Sequence, residues 1–196
     1  MIKDFPYVFV IGFNKTGTTS IHRLFQDNGI PSIHWDQGNL AKKSLTNVLR
    51  GDRVFSGYDN KFNVFSDMFF RTNNFVFEGN SLFRQMDKDY PGSLFIYNKR
   101  NIDDWVKSRI NHKSIIGGMS IIDLEKIINN TENVNDIISH WKILRIRFEE
   151  DLKSYFNFSK NFIEIDIDDV NFVNKISLFT GRDLDPSFWK KYNFSS

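Results

Sequence analysis

Hydrophobic residues along the chain form short continuous runs that alternate with helically spaced stripes. Residues 7–11 are continuously apolar and rich in β-branched and aromatic side chains, which predicts a strand buried on both faces of a parallel sheet. Gly12 ends this run, and apolar residues at helical spacing follow from Thr18 until Asn28 and Gly29 end the helix. The chain is therefore expected to open with a strand, a glycine-containing turn and a helix.

The same alternation continues along the rest of the chain. Further strands are predicted at residues 31–35, 64–67, 93–99 and 162–167. Helices are predicted at residues 39–50, after Asn101, after Asn135, and at residues 170–179 before Gly181. In the longest helix, the apolar stripe consists of Ile137, Trp141, Leu144, Phe148, Leu152 and Tyr155. Alternating strands and helices predict a single α/β domain over residues 1–196, a three-layer sandwich with a central parallel sheet.

Composition narrows the functional classes. The 196 residues are 40% apolar and 26% charged, which suits one globular domain, and the net charge of +2 does not indicate nucleic-acid binding. The absence of cysteine excludes thiolate nucleophiles and disulfides and fits a reducing compartment. No apolar run approaches the ~20 residues of a membrane span. We therefore expect a cytoplasmic protein without a membrane span, in which any anion site is local.

The turn between the first strand and helix carries the first chemical motif. Residues 12–20 read GFNKTGTTS, and amide groups at a helix N-terminus beside glycine form a cradle for phosphate. A nucleoside-triphosphate P-loop would place lysine directly after the second glycine. Here Thr18 follows Gly17, and the lysine comes earlier, as Lys15. This arrangement argues against a kinase or ATPase and for a different phosphate donor.

Residues 14–19, NKTGTT, resemble the phosphosulfate loop of the P-loop-containing sulfotransferases that use 3′-phosphoadenosine 5′-phosphosulfate (PAPS). That loop typically reads Pro-Lys-x-Gly-Thr-Thr after the first strand, and only its proline is replaced here. The resemblance implies transfer of a sulfonate group from PAPS to a hydroxyl or amine, with adenosine 3′,5′-bisphosphate (PAP) as product. It implies that Lys15 stabilises the departing bridging oxygen. The donor-binding residues implied in this loop are Asn14, Lys15, Thr16, Gly17, Thr18, Thr19 and Ser20.

A second segment extends the resemblance. Family members carry an arginine at the end of a later strand and a serine eight positions on, and these hold the 3′-phosphate of PAPS. Arg100 and Ser108 stand in that relation here, and the surrounding residues 95–105 also resemble the family's segment. We include Ser108 in the predicted catalytic set as well. Arg182 in a late loop is a further candidate for the 3′-phosphate, or else an exposed arginine after a helix end.

The general base is ambiguous in the sequence. The cytosolic branch of the family uses a histidine at the end of the strand that precedes the arginine strand, and Asp67 occupies that place here. His34, at the end of the second predicted strand, is the rival, with Glu78 and His112 as lesser candidates. We expect no metal, because lysine and arginine can neutralise the donor's charges.

The acceptor is the least determined feature. Residues 36–63 and 111–134 are expected to shape its pocket. An aromatic wall suited to a carbohydrate or lipid would consist of Phe55, Tyr58, Phe62 and Phe65. Small molecules, glycans and lipids all stay open as acceptors. Two other functions also stay open, namely a P-loop nucleotide or nucleoside kinase and a non-catalytic interaction protein that keeps a nucleotide-binding fold.

Overall fold

A computed structural model describes residues 2–112, 115–116 and 119–190. The strands are β1 (Val8–Val10), β2 (Ser32–His34), β3 (Val64–Ser66), β4 (Phe69–Arg71), β5 (Val76–Glu78), β6 (Leu94–Lys99), β7 (Ile115–Ile116), β8 (Met119–Ser120) and β9 (Phe162–Asp166). The α-helices are α1 (Thr18–Asp27), α2 (Asn39–Arg50), α3 (Phe83–Asp89), α4 (Ile102–Ile110), α5 (Ile121–Asn129), α6 (Val134–Tyr155) and α7 (Phe172–Thr180).

Five strands form a parallel sheet in the order β2-β3-β1-β6-β9. Phe9 of β1 is in register with Phe65 of β3 on one side and with Phe95 of β6 on the other. All three side chains are fully buried. Because the strands are parallel, the turns that follow them all begin at the same edge of the sheet, which is where ligands bind in such folds. The predicted α/β fold with a central parallel sheet is confirmed.

Helices cover both faces of the sheet. Phe9, Phe65 and Phe95 point into a core completed by residues of α2, α3 and the end of α6. Val8 and Val10 point the other way, into a core completed by α1 and α7. A third cluster joins α4, α5 and α6 around Trp105. Burial on both faces explains why the strands read as continuous apolar runs instead of alternating patterns.

Two predictions about α6 are wrong. Asn133, two residues before Asn135, caps this helix and accepts a hydrogen bond from the Asn135 amide. Leu144 is 44% exposed, whereas the neighbouring Arg145 is buried. Arg145 lies inside because its guanidinium donates to Glu149 and to the Arg100 carbonyl, so a hydrogen-bonded cation takes the place expected for an apolar side chain.

The predicted aromatic wall is part of the core. Phe55 and Phe65 are fully buried, with their rings stacked at a centroid distance of 4.3 Å. Tyr58 and Phe62 are half-buried and pack against the same cluster. The periodicity of this turn-rich region also gave no sign of the antiparallel hairpin β4–β5, which pairs Phe69 with Glu78. Phe55 and Phe65 therefore do not form an acceptor surface, whereas Tyr58 and Phe62 keep part of their rings exposed.

Candidate active site

The turn between β1 and α1 has a strained backbone at two residues, and only one of them is a glycine. Lys15 adopts a φ of 70° and Gly17 a φ of 85°, both in the left-handed region. A Cβ atom at Gly17 would lie 2.3 Å from Cδ1 of Ile167, so a larger residue would have to displace the end of that side chain in addition to adopting the left-handed conformation. Gly17 is the N-cap of α1 and provides no side-chain cap. The first amides of α1 are therefore of the kind that bind anions.

Asn98 of β6 fixes this turn through hydrogen bonds of its side chain. Its side-chain oxygen accepts a hydrogen bond from the Gly12 amide at 3.1 Å. Its side-chain nitrogen donates to the carbonyl oxygen of Thr16 at 2.7 Å and to Oγ1 of Thr16 at 2.8 Å. Asn98 and Thr16 are both fully buried, so the Thr16 hydroxyl fixes the turn from inside instead of facing a ligand. Thr18 and Ser20 are buried as well, and Thr19 is half-buried.

Helix α4 supports the other side of the turn. Trp105 donates its indole N–H to the Asn14 carbonyl at 2.9 Å, and the Phe13 ring packs between Trp105 and Phe148. Oδ1 of Asn14 is buried and has no hydrogen-bond partner in the protein. An unsatisfied buried acceptor is uncommon and costly, so this atom is of the kind that bridges to a ligand donor or an ordered water.

Lys15 connects the turn that follows β1 with the end of α4. Its ammonium nitrogen is 3.3 Å from Nδ1 of His112, which follows α4. Burial lowers the pKa of Lys15, the Asp67 carboxylate opposes this shift, and the Arg100 cation adds to it. The ammonium group of Lys15 therefore lies near enough to the predicted base Asp67 and to Arg100 for their charges to act on it.

Asp67 and His34 leave neighbouring strands side by side. Nε2 of His34 is 3.5 Å from Oδ2 of Asp67, and Asp67 has a left-handed φ of 53°. Burial raises the pKa of Asp67 to about 6, with Lys15 and Arg109 pulling it in the opposite direction. Burial lowers the pKa of His34 to about 4, and the Arg23 charge adds to this effect. Near neutral pH, Asp67 is ionised and able to accept a proton, and His34 is an uncharged imidazole.

A charged cluster adjoins Asp67. Glu78 at the end of β5 is 3.7 Å from Arg109 of α4, whose guanidinium lies over the Trp105 and Trp141 rings. Burial raises the pKa of Glu78 to about 7, Arg109 opposes this shift, and Asp67 adds to it. Arg71 pairs with Glu125 in the same region, and both are buried. Glu78 thus belongs to the surroundings of Asp67, and with a pKa raised to about 7 it stays a lesser candidate for the base.

Arg100 and Ser108 lie in one segment of the chain, Arg100 directly after β6 and Ser108 within α4. Arg100 is half-buried directly after β6, and its carbonyl oxygen accepts a hydrogen bond from Arg145 at 2.6 Å. Asn101 caps α4 by accepting from the amides of Asp103 and Asp104, as its sequence position predicted. Ser108 is 5% exposed on the helix. Their role at a 3′-phosphate stays a prediction.

Arg182 does not join this group. Its guanidinium lies over the ring of Phe5, 5.4 Å from the ring centroid. Phe5 comes before β1, at the amino end of a strand whose carboxyl end carries the Gly12 turn. Arg182 therefore lies at the opposite edge of the sheet from Lys15, because α7 carries the chain back to that edge before Gly181 ends the helix. The expectation that Arg182 contributes to the donor site is withdrawn.

Sequence reasoning missed three supports of the site, namely Asn98, Trp105 as a hydrogen-bond donor, and Arg109. Asn98 carried a usable signal, since it is a polar residue inside the apolar strand β6, where a buried amide needs specific partners. Arg109 carried none, because a charged residue in a helix is ordinarily exposed.

Fold and site together define a P-loop-like α/β protein, in which a glycine-containing turn, a lysine and a carboxylate meet at the carboxyl edge of a parallel sheet. A family model described as a sulfotransferase domain matches residues 7–162. The chain belongs to this sulfotransferase family. No curated protein matches the chain.

Two features are absent from the described part of the chain. Among residues 2–112, 115–116 and 119–190, no group of three or more His, Asp or Glu side chains could hold a metal ion. Over the same ranges, no helix is long and apolar enough to cross a membrane. The expectation that no metal takes part stays a prediction.

Proposed function

We propose that the protein is a PAPS-dependent sulfotransferase, an enzyme of one domain spanning residues 1–196. The observation that carries this proposal is the position of Lys15, in the turn between β1 and α1 and within electrostatic reach of both Asp67 and Arg100. Such an arrangement suits a reaction in which a cation stabilises a leaving oxygen while a carboxylate accepts the acceptor's proton. A kinase of the P-loop type would need lysine at position 18, where this chain has Thr18.

The proposed reaction is one in-line displacement. A hydroxyl or amine of the acceptor forms a bond to the sulfur of PAPS, while the bond from that sulfur to the bridging oxygen of the 5′-phosphate breaks. Asp67 takes the proton released by the acceptor. The bridging oxygen leaves with its electron pair on PAP, and the Lys15 ammonium stabilises the charge that develops there.

The donor would lie along the carboxyl edge of β1 and β6. Amides at the start of α1, with Thr18 and Thr19, would hold the 5′-phosphate, in keeping with the geometry of helix N-termini. The Arg100 guanidinium and the Ser108 hydroxyl would hold the 3′-phosphate, since arginine offers paired donors that match a phosphate group. The Asn14 side-chain oxygen is available as an acceptor from the nucleotide.

The acceptor would approach from the side of Asp67 and Glu78. Burial in the core removes the Phe55 and Phe65 rings from this surface, which leaves only the half-buried Tyr58 and Phe62 of the expected aromatic wall. The proposal is limited to a small molecule, glycan or lipid that carries a hydroxyl or amine. It places the reaction in the cytoplasm and requires no metal.

Calorimetry without magnesium tests the donor. PAP should bind at least ~10-fold more tightly than AMP, a difference of about 1.4 kcal/mol, because only PAP carries a 3′-phosphate. Arg100→Met and Ser108→Ala should weaken PAP binding toward that of AMP and leave AMP binding unchanged. Arg147→Met on the exposed face of α6 is the matched control and should leave both affinities unchanged.

Three outcomes would contradict the proposal. Equal affinity for PAP and AMP would remove the 3′-phosphate site. Tight magnesium-dependent binding of ATP would favour a nucleotide kinase. Tight PAP binding with no transfer of labelled sulfonate to a broad panel of hydroxyl and amine acceptors would favour a non-catalytic interaction protein.

A further inference from the structure

The His34 imidazole lies between the donor turn and the proposed base. Its Nε2 atom is 3.2 Å from Oγ1 of Thr19, in the first turn of α1, and 3.5 Å from Oδ2 of Asp67. Its Nδ1 atom is 3.1 Å from Oγ of Ser66, the last residue of β3. One side chain of β2 thus contacts groups that follow β1 and β3, the two other strands on this side of the sheet.

The charge on Asp67 decides which ring nitrogen carries the proton. A neutral imidazole has one N–H group, and the serine hydroxyl beside Nδ1 can either donate or accept. The carboxylate beside Nε2 can only accept while it is ionised. The favoured form therefore has the proton on Nε2, between the oxygens of Thr19 and Asp67. The Ser66 hydroxyl has two acceptors in reach, Nδ1 at 3.1 Å and the Ile33 carbonyl oxygen at 3.3 Å, and in this form it donates to the nearer one, Nδ1.

Neighbouring groups keep this imidazole uncharged. The His22 ring of α1 stacks on His34 at a centroid distance of 5.4 Å and is itself anchored through Nδ1 to the Ser32 hydroxyl at 2.8 Å. Arg23, also on α1, adds a positive charge that disfavours protonation of His34. Asp67 is the acidic neighbour of His34, and its carboxylate lies 3.5 Å from Nε2. A neutral imidazole with its proton on Nε2 can make this contact without becoming charged.

We infer that His34 is a positioning residue, which orients the Asp67 carboxylate through Nε2–H and links it to Thr19 at the start of the donor-binding helix. This inference rests on the proposed function for the meaning of Asp67, but the contact itself is independent of activity. It removes His34 from the candidate bases.

Carbon-13 NMR of the Asp67 carboxyl, assigned with Asp67→Asn, tests the inference without any ligand. A hydrogen bond to the ionised form lowers a carboxyl pKa, so its loss in His34→Leu should raise the Asp67 titration midpoint by about 0.5 pH unit or more. His34→Gln, whose amide can donate from nearly the same position, should restore much of the wild-type midpoint. His22→Leu is the matched control, since His22 stacks on His34 without contacting Asp67, and should leave the midpoint unchanged.

A second measurement keeps the inference testable if His34→Leu fails to fold. Nitrogen-15 NMR of wild-type protein at pH 7 should show His34 in the Nε2–H form, and an Nδ1–H form would overturn the inference. An Asp67 midpoint in His34→Leu equal to that of wild type would also overturn it. If the NMR results hold while Asp67→Asn retains full turnover, the positioning contact stands and the proposed base is wrong.

Discussion

The side-chain nitrogen of Asn98 donates to both the carbonyl oxygen and Oγ1 of Thr16, at 2.7 and 2.8 Å. This pair joins the centre of β6 to the turn that follows β1, and it does so in a fully buried environment. The left-handed conformations of Lys15 and Gly17 flank Thr16 on both sides. The shape of the donor turn therefore depends on a residue more than 80 positions away in the chain.

Asn98→Ala should lose both stability and nucleotide binding. The change leaves the Gly12 amide and the Thr16 carbonyl without partners, which costs about 1–3 kcal/mol in the free energy of unfolding. The PAP dissociation constant should rise ~10-fold or more, because the turn loses its fixed shape. Urea denaturation and calorimetry measure the two effects.

Asn47→Ala is the matched control for Asn98→Ala. Asn47 is also buried, and its amide donates to the carbonyls of Val54 and Ser56, far from the turn. It should lose a similar amount of stability and keep its affinity for PAP. A loss of PAP affinity in both variants would mean that general destabilisation, and not the turn, governs binding.

Gly17→Ala should be much more harmful than Gly51→Ala. Both glycines have left-handed φ values, 85° and 77°, so an alanine costs roughly 1–2 kcal/mol in either place. Only at Gly17 would the new Cβ also meet Ile167, at 2.3 Å, whereas nothing lies within 4 Å at Gly51. Thermal unfolding should show the larger loss for Gly17→Ala, accompanied by weaker PAP binding. Similar losses in the two variants would contradict the close packing of the turn on Ile167.

Lys15→Met should reduce turnover far more than donor affinity. The charge on the bridging oxygen develops only as the bond to sulfur breaks, so the ammonium acts mainly in the transition state. A loss on the order of 10²-fold or more in kcat is expected, with a small change in the PAPS KM. Lys88→Met, at an exposed position of α3, serves as the control. An unchanged kcat with a raised PAPS KM would restrict Lys15 to binding.

The pH dependence of turnover should report Asp67. Its pKa of about 6 predicts that kcat/KM rises with pH and levels off above about 7, because only the ionised carboxylate accepts a proton. Asp67→Asn should lower kcat/KM by ~10²–10⁴-fold and abolish this inflection. Asp151→Asn, on the surface opposite Arg84, is the control. Burial shifts Asp67 close to the ordinary range of histidine, so an inflection near pH 6 does not by itself indicate a histidine base.

His34→Gln separates the two candidates. The pKa of His34 is lowered to about 4, so His34 cannot produce an inflection near pH 6. The variant should keep the inflection with a moderate loss of rate, as expected for a positioning residue. Loss of the inflection in His34→Gln, together with its survival in Asp67→Asn, would exchange the two roles.

Stability at acid pH should depend on His22. Burial is the largest cause that lowers its pKa in the folded state to about 4, while the unfolded chain binds a proton below ~6.5. Between these pH values the unfolded state holds more protons, so the stabilisation present above pH 6.5 is lost as the pH falls toward 4. The free energy of unfolding should therefore fall less between pH 7.5 and 4.5 in His22→Gln than in wild type, by on the order of 2 kcal/mol. Urea denaturation at both pH values measures the free energy of unfolding, with His140→Gln at an exposed position of α6 as the control. An equal loss in wild type and His22→Gln would contradict the lowered pKa of His22.

The order of elements was largely readable from local patterns. The bounds of α2 agree with the prediction, the strands at residues 64–66 and 94–99 lie within their predicted ranges, and Asn101 caps α4 as expected. These features depend on apolar periodicity and on capping, which act over a few neighbouring residues. The hairpin β4–β5 could not be found in this way, because its short strands are held by pairing and by the charged cluster around Glu78.

For the site, the sequence by itself determined the residues whose role is tied to a local motif. Gly17, Lys15 and the threonines after them are recognisable because the turn and the helix N-terminus are contiguous in the chain. Only the tertiary structure decided that Asn98 fixes the turn, that His34 faces Asp67, and that Arg182 lies at the opposite edge. The physical reason is that parallel strands bring distant segments together at one edge of the sheet, and burial there changes the pKa of Asp67 and His34 by amounts that no local pattern encodes.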